Sequence, residues 1–399
     1  MVDLDTFRTE VHAWLRANAP QSIIGTMLTD DDGVWGGRKA VFPSADAKGW
    51  LEIMAERGWT APTWPREYGG GGLSPAEAKI LQQEMGKLRI PPPLVGFGLT
   101  MIGPTLLQYG TEEQKREHLS RICRGEIRWC QGYSEPDAGS DLAALSTRAV
   151  LDGDHLVITG QKVWTSYADK SDWIFALVRT DASAKKQEGI TFLLIDMASP
   201  GVSVRPILLI SGASPFCETY FDGVRVPVKN VITRLNAGWT VAKALLGHER
   251  SMIADVFGGG GPRKAKGSAL AAHARRHLPD GGSTVPDPML RDQIAQAELD
   301  TKCFSLTVQR SRDGMKARHK PGPEASMFKY YATELNQRRY ELMVRIAGPH
   351  GLGWEGEGFE PEDVTLTRAW LRSRGNSIEG GTSEVQLNVI AKRVLGLPD

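Results

Sequence analysis

Residues Trp129–Asp141 read WCQGYSEPDAGSD and residues Gly160–Ser166 read GQKVWTS, and these two stretches decide the architecture. Each joins a short β-patterned run to tight-turn residues and small hydroxyls. Between them, Thr147–Val150 and His155–Thr159 read as strands about the turn Asp152–Gly153–Asp154. Such turns present backbone N–H groups and hydroxyls to a bulky polar ligand, here with Trp164 beside them. Turn chemistry alone is equally compatible with two ordinary hairpins around a core tryptophan.

Outward from these stretches the texture stays β from about Arg128 to Ile232. Trp173–Val178, Ile190–Ile195, Val202–Pro206 and Thr219–Val226 are short β-rich runs separated by Gly, Pro or Asp. The N-terminal side is helical. Leu4, Phe7, Val11, Trp14 and Leu15 recur at helical spacing, and further helices are expected at Ala45–Arg57, Pro75–Leu88 and Glu112–Arg124. Ser74–Pro75 supplies an N-cap followed by a first-turn proline. The loop Trp64–Gly72, WPREYGGGG, is expected to be a surface turn. Beyond Gly238 helices return at Trp239–Phe257, Pro288–Arg310, Ala325–Ile346 and Thr382–Leu395, while Gly258–Val285 fits no element.

Bulk properties narrow the function classes. The 399 residues carry 48 basic and 47 acidic side chains, a net charge of +1. That balance offers no electrostatic footprint for nucleic acid or for an anionic membrane surface. No apolar run approaches spanning length, and Asp3 and Asp5 stand where a secretory signal would be basic. The cysteines Cys123, Cys130, Cys217 and Cys303 form no CxxC pair, so a reducing, cytoplasmic setting is expected.

Several motif-like stretches lead nowhere. Gly351–Gly356, GLGWEG, matches GxGxxG but follows a helical pattern and opens no helix, so a loop is expected. Gly258–Lys264, GGGGPRK, lacks the G-K-[ST] ending of a phosphate loop. His273 and His277 flank two arginines with no carboxylate between them, which reads as a solvated basic segment and implies no metal. Ser134 and Ser140 lack the GxSxG setting of a hydrolase nucleophile.

SEPDAGSD, the following VWTS and the C-terminal EGGTSEVQ (Glu379–Gln386) together resemble the acyl-CoA dehydrogenase flavoproteins, with the motifs in that family's order across nearly the whole chain. The resemblance implies an α+β fold: an N-terminal helical domain (1–127), a middle β-barrel or sandwich domain (128–232) and a C-terminal four-helix bundle (233–399). It implies FAD as cofactor. Gln131, Tyr133 and Ser134 match residues lying against the flavin ring, and Gly139 and Ser140 match those near the pyrophosphate and the pantetheine arm of the thioester. Trp164, Thr165 and Ser166 match the motif that sets a tryptophan against the isoalloxazine edge and a polar donor near its reactive nitrogen. Such donors stabilise the anion that flavin becomes on reduction. Thr382 and Glu384 carry over as FAD contacts. Ser383 and Gln386 read as a capping box opening the last helix.

The family commonly keeps its catalytic glutamate two residues before that threonine, where this chain has Gly380; Glu379 fills the neighbouring slot, usually tyrosine. A minority of the family carries the base on an earlier helix ending Glu-Arg, here Gly247–His248–Glu249–Arg250. Periodicity supports that choice independently. Val241, Leu245, Met252, Ile253 and Val256 form one apolar stripe, and Glu249 lies on it; an inward carboxylate needs a partner or a chemical role. Glu249 is therefore the expected base, with Arg250 matching an arginine that steadies the site wall or CoA. The Gly380 N–H is expected to hold the thioester carbonyl.

The family's Arg-x-x-Phe-Gly segment has no counterpart in Gly258–Val285, and its glutamine-glycine-glycine segment is altered to AGPHGLG at 347–353. Both bind the adenine half of FAD across a subunit interface. The expected partners are therefore an acyl-CoA substrate, an electron-transferring flavoprotein, and either an identical subunit or a smaller paralogous one. An oxidase relative and a catalytically silent subunit are the competing readings. The wording of SEPDAGSD and KKQEGITFLLIDM (185–197) looks closest to bacterial pimeloyl-CoA dehydrogenase large subunits, with branched, aromatic and steroid-derived acyl groups also open.

Overall fold

The computed structural model describes residues 3–26, 33–246, 269–277, 285–318 and 325–398. The chain divides into two compact units, Met1–Ile207 with Pro215–His248, and Leu208–Ser214 with Glu249–Asp399.

The first unit opens with helices that local chemistry starts cleanly. α1 (Leu4–Asn18) begins where the Asp3 carboxylate accepts from the Asp5 and Thr6 amides. α2 (Ala45–Glu56) is capped by Ser44. α3 (Pro75–Leu88) starts as expected, with a Ser74–Glu77 capping box and proline at its head. α4 (Gly103–Tyr109) follows, and α5 (Glu112–Cys123) repeats the capping box with Thr111 and Gln114. Val11 and Leu15 of α1, Trp50 and Met54 of α2, Trp59 of the α2–α3 loop and Leu81 of α3 form one core. The loop 64–72 is a surface turn only in part, exposed at Pro65, Arg66, Glu67 and Gly72. Gly70 and Gly71 are buried, and a Cβ on Gly70 would lie 2.3 Å from the Trp64 carbonyl oxygen. The glycines are there because the chain packs against itself.

The second part of this unit is one curled seven-stranded sheet. Its strands are β1 (Trp129–Gly132), β2 (Arg148–Asp152), β3 (His155–Ser166), β4 (Trp173–Arg179), β5 (Ile190–Asp196), β6 (Val202–Ile207) and β7 (Phe216–Pro227), in the order β1-β4-β2-β3-β7-β6 with β5 on β4. β4 and β5 are continuous apolar runs because both faces are covered; all but their last residues are buried. β1 lies parallel to β4, pairing Gln131 with Phe175 and Gly132 with Ala176. β3 and β7 form the long antiparallel pair, broken by register shifts at Ile158/Gly160 and Lys162/Thr165. After β7, residues 238–246 are helical (α6), and Gly238 lets this helix begin against β5: a Cβ there would lie 2.3 Å from the Phe192 amide nitrogen.

The second unit is helical: α7 (Ala269–Arg276), α8 (Pro288–Arg318), α9 (Ala325–Ala347), α10 (Pro361–Ser373) and α11 (Ser383–Val389). α9 is its spine, packing Phe328 and Ala332 on Phe304 and Val308 of α8, and Leu342 beside Leu270 and Ala274 of α7. α8 runs past the expected Arg310 because no proline interrupts it before Pro321.

Candidate functional site

The two motifs that open the sequence reading meet in the sheet. Gly132 ends β1 close against β4, where a Cβ would lie 2.6 Å from Ile174 Cδ1. Tyr133 then turns its ring inward, edge-on to the stacked pair Phe175 and Phe192 at 6.1 and 6.3 Å, and is only 5 % exposed. Ser134 accepts a 2.9 Å hydrogen bond from the Val163 amide, which seats the first motif directly on β3. Glu135 and Ala138 exchange two backbone hydrogen bonds of 3.0 Å, closing a tight turn whose far side carries exposed Gly139 and Ser140. A Cβ on Gly139 would meet nothing within 4 Å. Backbone there lies open to a ligand.

A buried ion pair holds this turn from below. Lys162 Nζ donates to Glu135 Oε1 at 2.6 Å and to the Tyr133 carbonyl at 3.3 Å. Glu135 also accepts from the Ser146 amide (2.6 Å), the Ser146 hydroxyl (2.9 Å) and the Thr147 amide (3.0 Å). Burial pushes Glu135 up, but the Lys162 charge and these donors outweigh it and hold the carboxyl at about 2. Burial lowers Lys162 to about 8 against the opposing pull of Glu135. Neither residue was picked out in the sequence. A signal existed: Lys162 shares the inward parity of β3 with Leu156 and Ile158.

Trp164 falls at the register shift in β3, at φ 60, and stands 55 % exposed with its ring edge-on to Phe216 at 6.1 Å. A left-handed tryptophan costs roughly 1 kcal/mol or more, and the bulge re-aims the indole outward. Thr165 points the other way, fully buried, its Oγ1 without a partner among the described residues. Ser166 is half-buried opposite Phe216.

In the helical unit, the last helix does not open as expected. Its cap is Thr382, whose hydroxyl accepts from the Val385 amide at 3.2 Å; Ser383 is already inside the helix and buried, so the Ser383–Gln386 capping box does not form. Gln386 instead donates to the Gly380 carbonyl at 3.4 Å. Gly380 and Gly381 sit at φ 62 and 89, a double left-handed turn that glycine alone adopts without strain. Glu384 is exposed in the first turn. Glu379 is tied down by Arg372 at 2.6 Å and Asn376 at 2.5 Å. Thr382→Ala should destabilise α11 by about 1 kcal/mol, read as faster amide exchange over 383–389; unchanged exchange would show that the Thr382 hydroxyl does not hold the helix start.

Comparison with known proteins places the whole chain. Residues 28–126, 130–224 and 236–395 match the family models for the acyl-CoA dehydrogenase N-terminal, middle and C-terminal domains. The chain is 34% identical over 398 residues to acyl-CoA dehydrogenase IpdE1 of Mycobacterium tuberculosis (strain ATCC 25618 / H37Rv), covering 100% of this chain and 99% of that one. This chain belongs to the acyl-CoA dehydrogenase family. Among solved structures, the Tcur3481-Tcur3483 steroid ACAD superposes with TM-score 0.75 at 29% identity, covering 99% of this chain and 97% of that one. The ChsE4-ChsE5 complex of Mycobacterium tuberculosis gives 0.74 at 29% identity, over 100% and 98%.

Members of this family are FAD-dependent oxidoreductases acting on CH–CH groups. The turn at 135–140 fits that cofactor: open backbone at Gly139, a small hydroxyl at Ser140, and an outward indole on the adjoining strand suit a large ligand with a planar head. Glu249, Arg250, and the remaining stripe residues Met252, Ile253 and Val256 lie outside the described residues, as does the GGGGPRK stretch. Upstream in α6, Val241 and Leu245 are buried, as the stripe predicts.

The histidine pair is not the solvated segment expected. His277 has a side chain only 8% exposed, 3.6 Å from the buried Asp363, and stacks edge-on with His273 at 4.6 Å. The carboxylate comes from α10, far along the chain, which local spacing cannot reveal. Among the described residues no cluster of three or more His, Cys, Asp or Glu could hold a metal, and no helix is long and apolar enough to cross a membrane.

Proposed function

We propose that this chain carries out FAD-dependent α,β-dehydrogenation of an acyl-CoA thioester, with Glu249 as the general base. The observation that supports this most is the docking of SEPDAGSD on GQKVWTS: Ser134 bonds to Val163, and the two motifs share the Glu135–Lys162 pair. When bound, FAD supplies the acceptor for the β-hydrogen. Glu249 takes the α-proton, and the Gly380 N–H holds the thioester carbonyl, stabilising the enolate that develops. Gln131, Tyr133, Ser134, Trp164, Thr165, Ser166, Thr382 and Glu384 are proposed FAD contacts, of which Tyr133 and Thr165 are buried before the cofactor binds. Gly139 and Ser140 are proposed for the pyrophosphate and pantetheine, and Arg250 for the CoA side. An electron-transferring flavoprotein is the proposed acceptor.

For substrate and assembly the 29%-identical structure described as "Tcur3481-Tcur3483 steroid ACAD", its description joining two names, favours a steroid-derived acyl group and a second, paralogous subunit. The altered segment at 347–353 favours the same assembly, because it is where the family reaches a neighbour's adenine. Gly380, in place of the usual carboxylate, favours an alternative in which this chain is the silent member of the pair.

Purified alone and then with its paralogue, the protein separates these readings. A yellow complex that releases FAD on denaturation and oxidises a steroid-derived acyl-CoA, with activity appearing only on mixing, is the expected result. Protein that gains no flavin absorbance in excess FAD sinks the cofactor assignment. Full activity of a monomer in light scattering sinks the mixed assembly, and preference for pimeloyl-CoA sinks the steroid assignment.

A further inference from the structure

Among the described ion pairs of Lys or Arg with a carboxylate, Lys162–Glu135 is the one with both side chains under 5 % exposed, at 0% and 4%. Its position in the chain is as telling as its burial. Glu135 directly follows Ser134, and Lys162 stands two residues before Trp164. The carboxylate gathers donors from two further positions, Ser146 and Thr147, at the return end of the same loop. Lys162 reaches across to the Tyr133 carbonyl at its outgoing end. Both ends of the loop 133–147 are thus fastened to one point on β3, and the residues left exposed between them are 136, 137 and 139–141. Gly160 permits the close approach, since a Cβ there would lie 2.7 Å from Thr147 Cα.

A buried pair of this kind adds little net stability, because desolvating two charges offsets most of their attraction. What it does supply is one fully satisfied geometry. We propose that Lys162 and Glu135 are positioning residues for FAD: the pair fixes the 134–140 segment against Trp164–Ser166, so that flavin affinity depends on it beyond its effect on folding. The proposal rests on the FAD reading above and adds to it residues that touch no cofactor.

Three variants test it, each as apoprotein titrated with FAD and as loaded enzyme. Glu135→Gln leaves a buried ammonium without its anion and weakens the anchoring of 146–147. FAD should bind at least about tenfold more weakly, the worth of one charge-assisted hydrogen bond, with an altered bound-flavin spectrum. Saturating FAD should restore much of kcat. The double variant Glu135→Gln/Lys162→Met removes both charges. The apoprotein's unfolding midpoint should recover to near wild type while FAD affinity stays weak. Ser146→Ala removes a single donor from an exposed residue and should weaken FAD about two- to fivefold at an unchanged midpoint, which serves where the other variants fail to fold.

A double variant that binds FAD as tightly as wild type, with the same spectrum, overturns the proposal and leaves the pair a fold element only. Unchanged affinity in Ser146→Ala does the same. Wild-type apoprotein that takes up no FAD at all overturns the cofactor reading first, and the proposal with it.

Discussion

Replacing Glu249 with glutamine should slow reduction of the bound flavin by roughly 10²–10⁴-fold, the usual worth of a positioned general base. Glutamine keeps the size and the hydrogen bonding but cannot accept the α-proton, so FAD and thioester should still bind. The competing carboxylate is Glu379, beside Gly380. Its two oxygens are engaged by Arg372 and Asn376, at 2.6 and 2.5 Å. A carboxylate held this way braces the turn and is poorly placed to collect a proton. Glu379→Gln should therefore leave the reduction rate within a few-fold of wild type and cost about 1 kcal/mol or less of stability, since the pair is partly exposed. Stopped-flow bleaching of the flavin with an acyl-CoA substrate gives the ranking. The reverse order would move the base to Glu379, and near-normal rates in both would mean that neither abstracts the proton.

What could be read from sequence depended on how local its cause was. Ser74, Pro75 and Glu77 start α3 through contacts within one turn, and that start was legible. β4 and β5 were legible because unbroken apolar runs leave no other solution. α10 was missed: Val364, Thr365, Leu366 and Thr367 imitate a strand, although Pro361, Glu362 and Asp363 give it a normal helical first turn. Thr382 and Ser383 can each cap a helix, and which one does is set by the double-glycine turn before them. The FAD motifs were legible as wording, whereas the reason they hold together was not. Glu135 reads as an ordinary polar residue, and Lys162 shows only its parity, until the loop 133–147 folds onto β3 and both are buried. The buried glycines at 70 and 71 follow the same rule, since only the packed chain makes a Cβ impossible there.

Acidification from pH 6.5 to 4.5 should remove about 2 kcal/mol from the unit that carries the sheet, through His118 alone. This residue of α5 is 1 % exposed, edge-on to Trp129 at 5.2 Å and Trp173 at 4.8 Å. Its Nδ1 has no partner among the described residues. Burial therefore disfavours the charged ring and lowers its pKa from 6.5 to about 4. The unfolded chain takes up the proton near 6.5 while the folded one refuses it until about 4, so stability is complete above 6.5 and drains as pH falls between the two. Glu84 and Glu135 are both held at about 2, against an ordinary 4.5, by their cationic partners despite burial. Their contributions are lost only below about 4.5, which leaves the higher window to histidine. His277, in the helical unit, is also lowered by burial and has the same sign. Urea unfolding followed by tryptophan fluorescence, repeated from pH 7.5 to 4.5, should show a falling midpoint in wild type and a nearly flat one in His118→Phe, whose ring fills the same aromatic cluster without titrating. Parallel slopes in the two proteins would show that His118 is not the group being protonated.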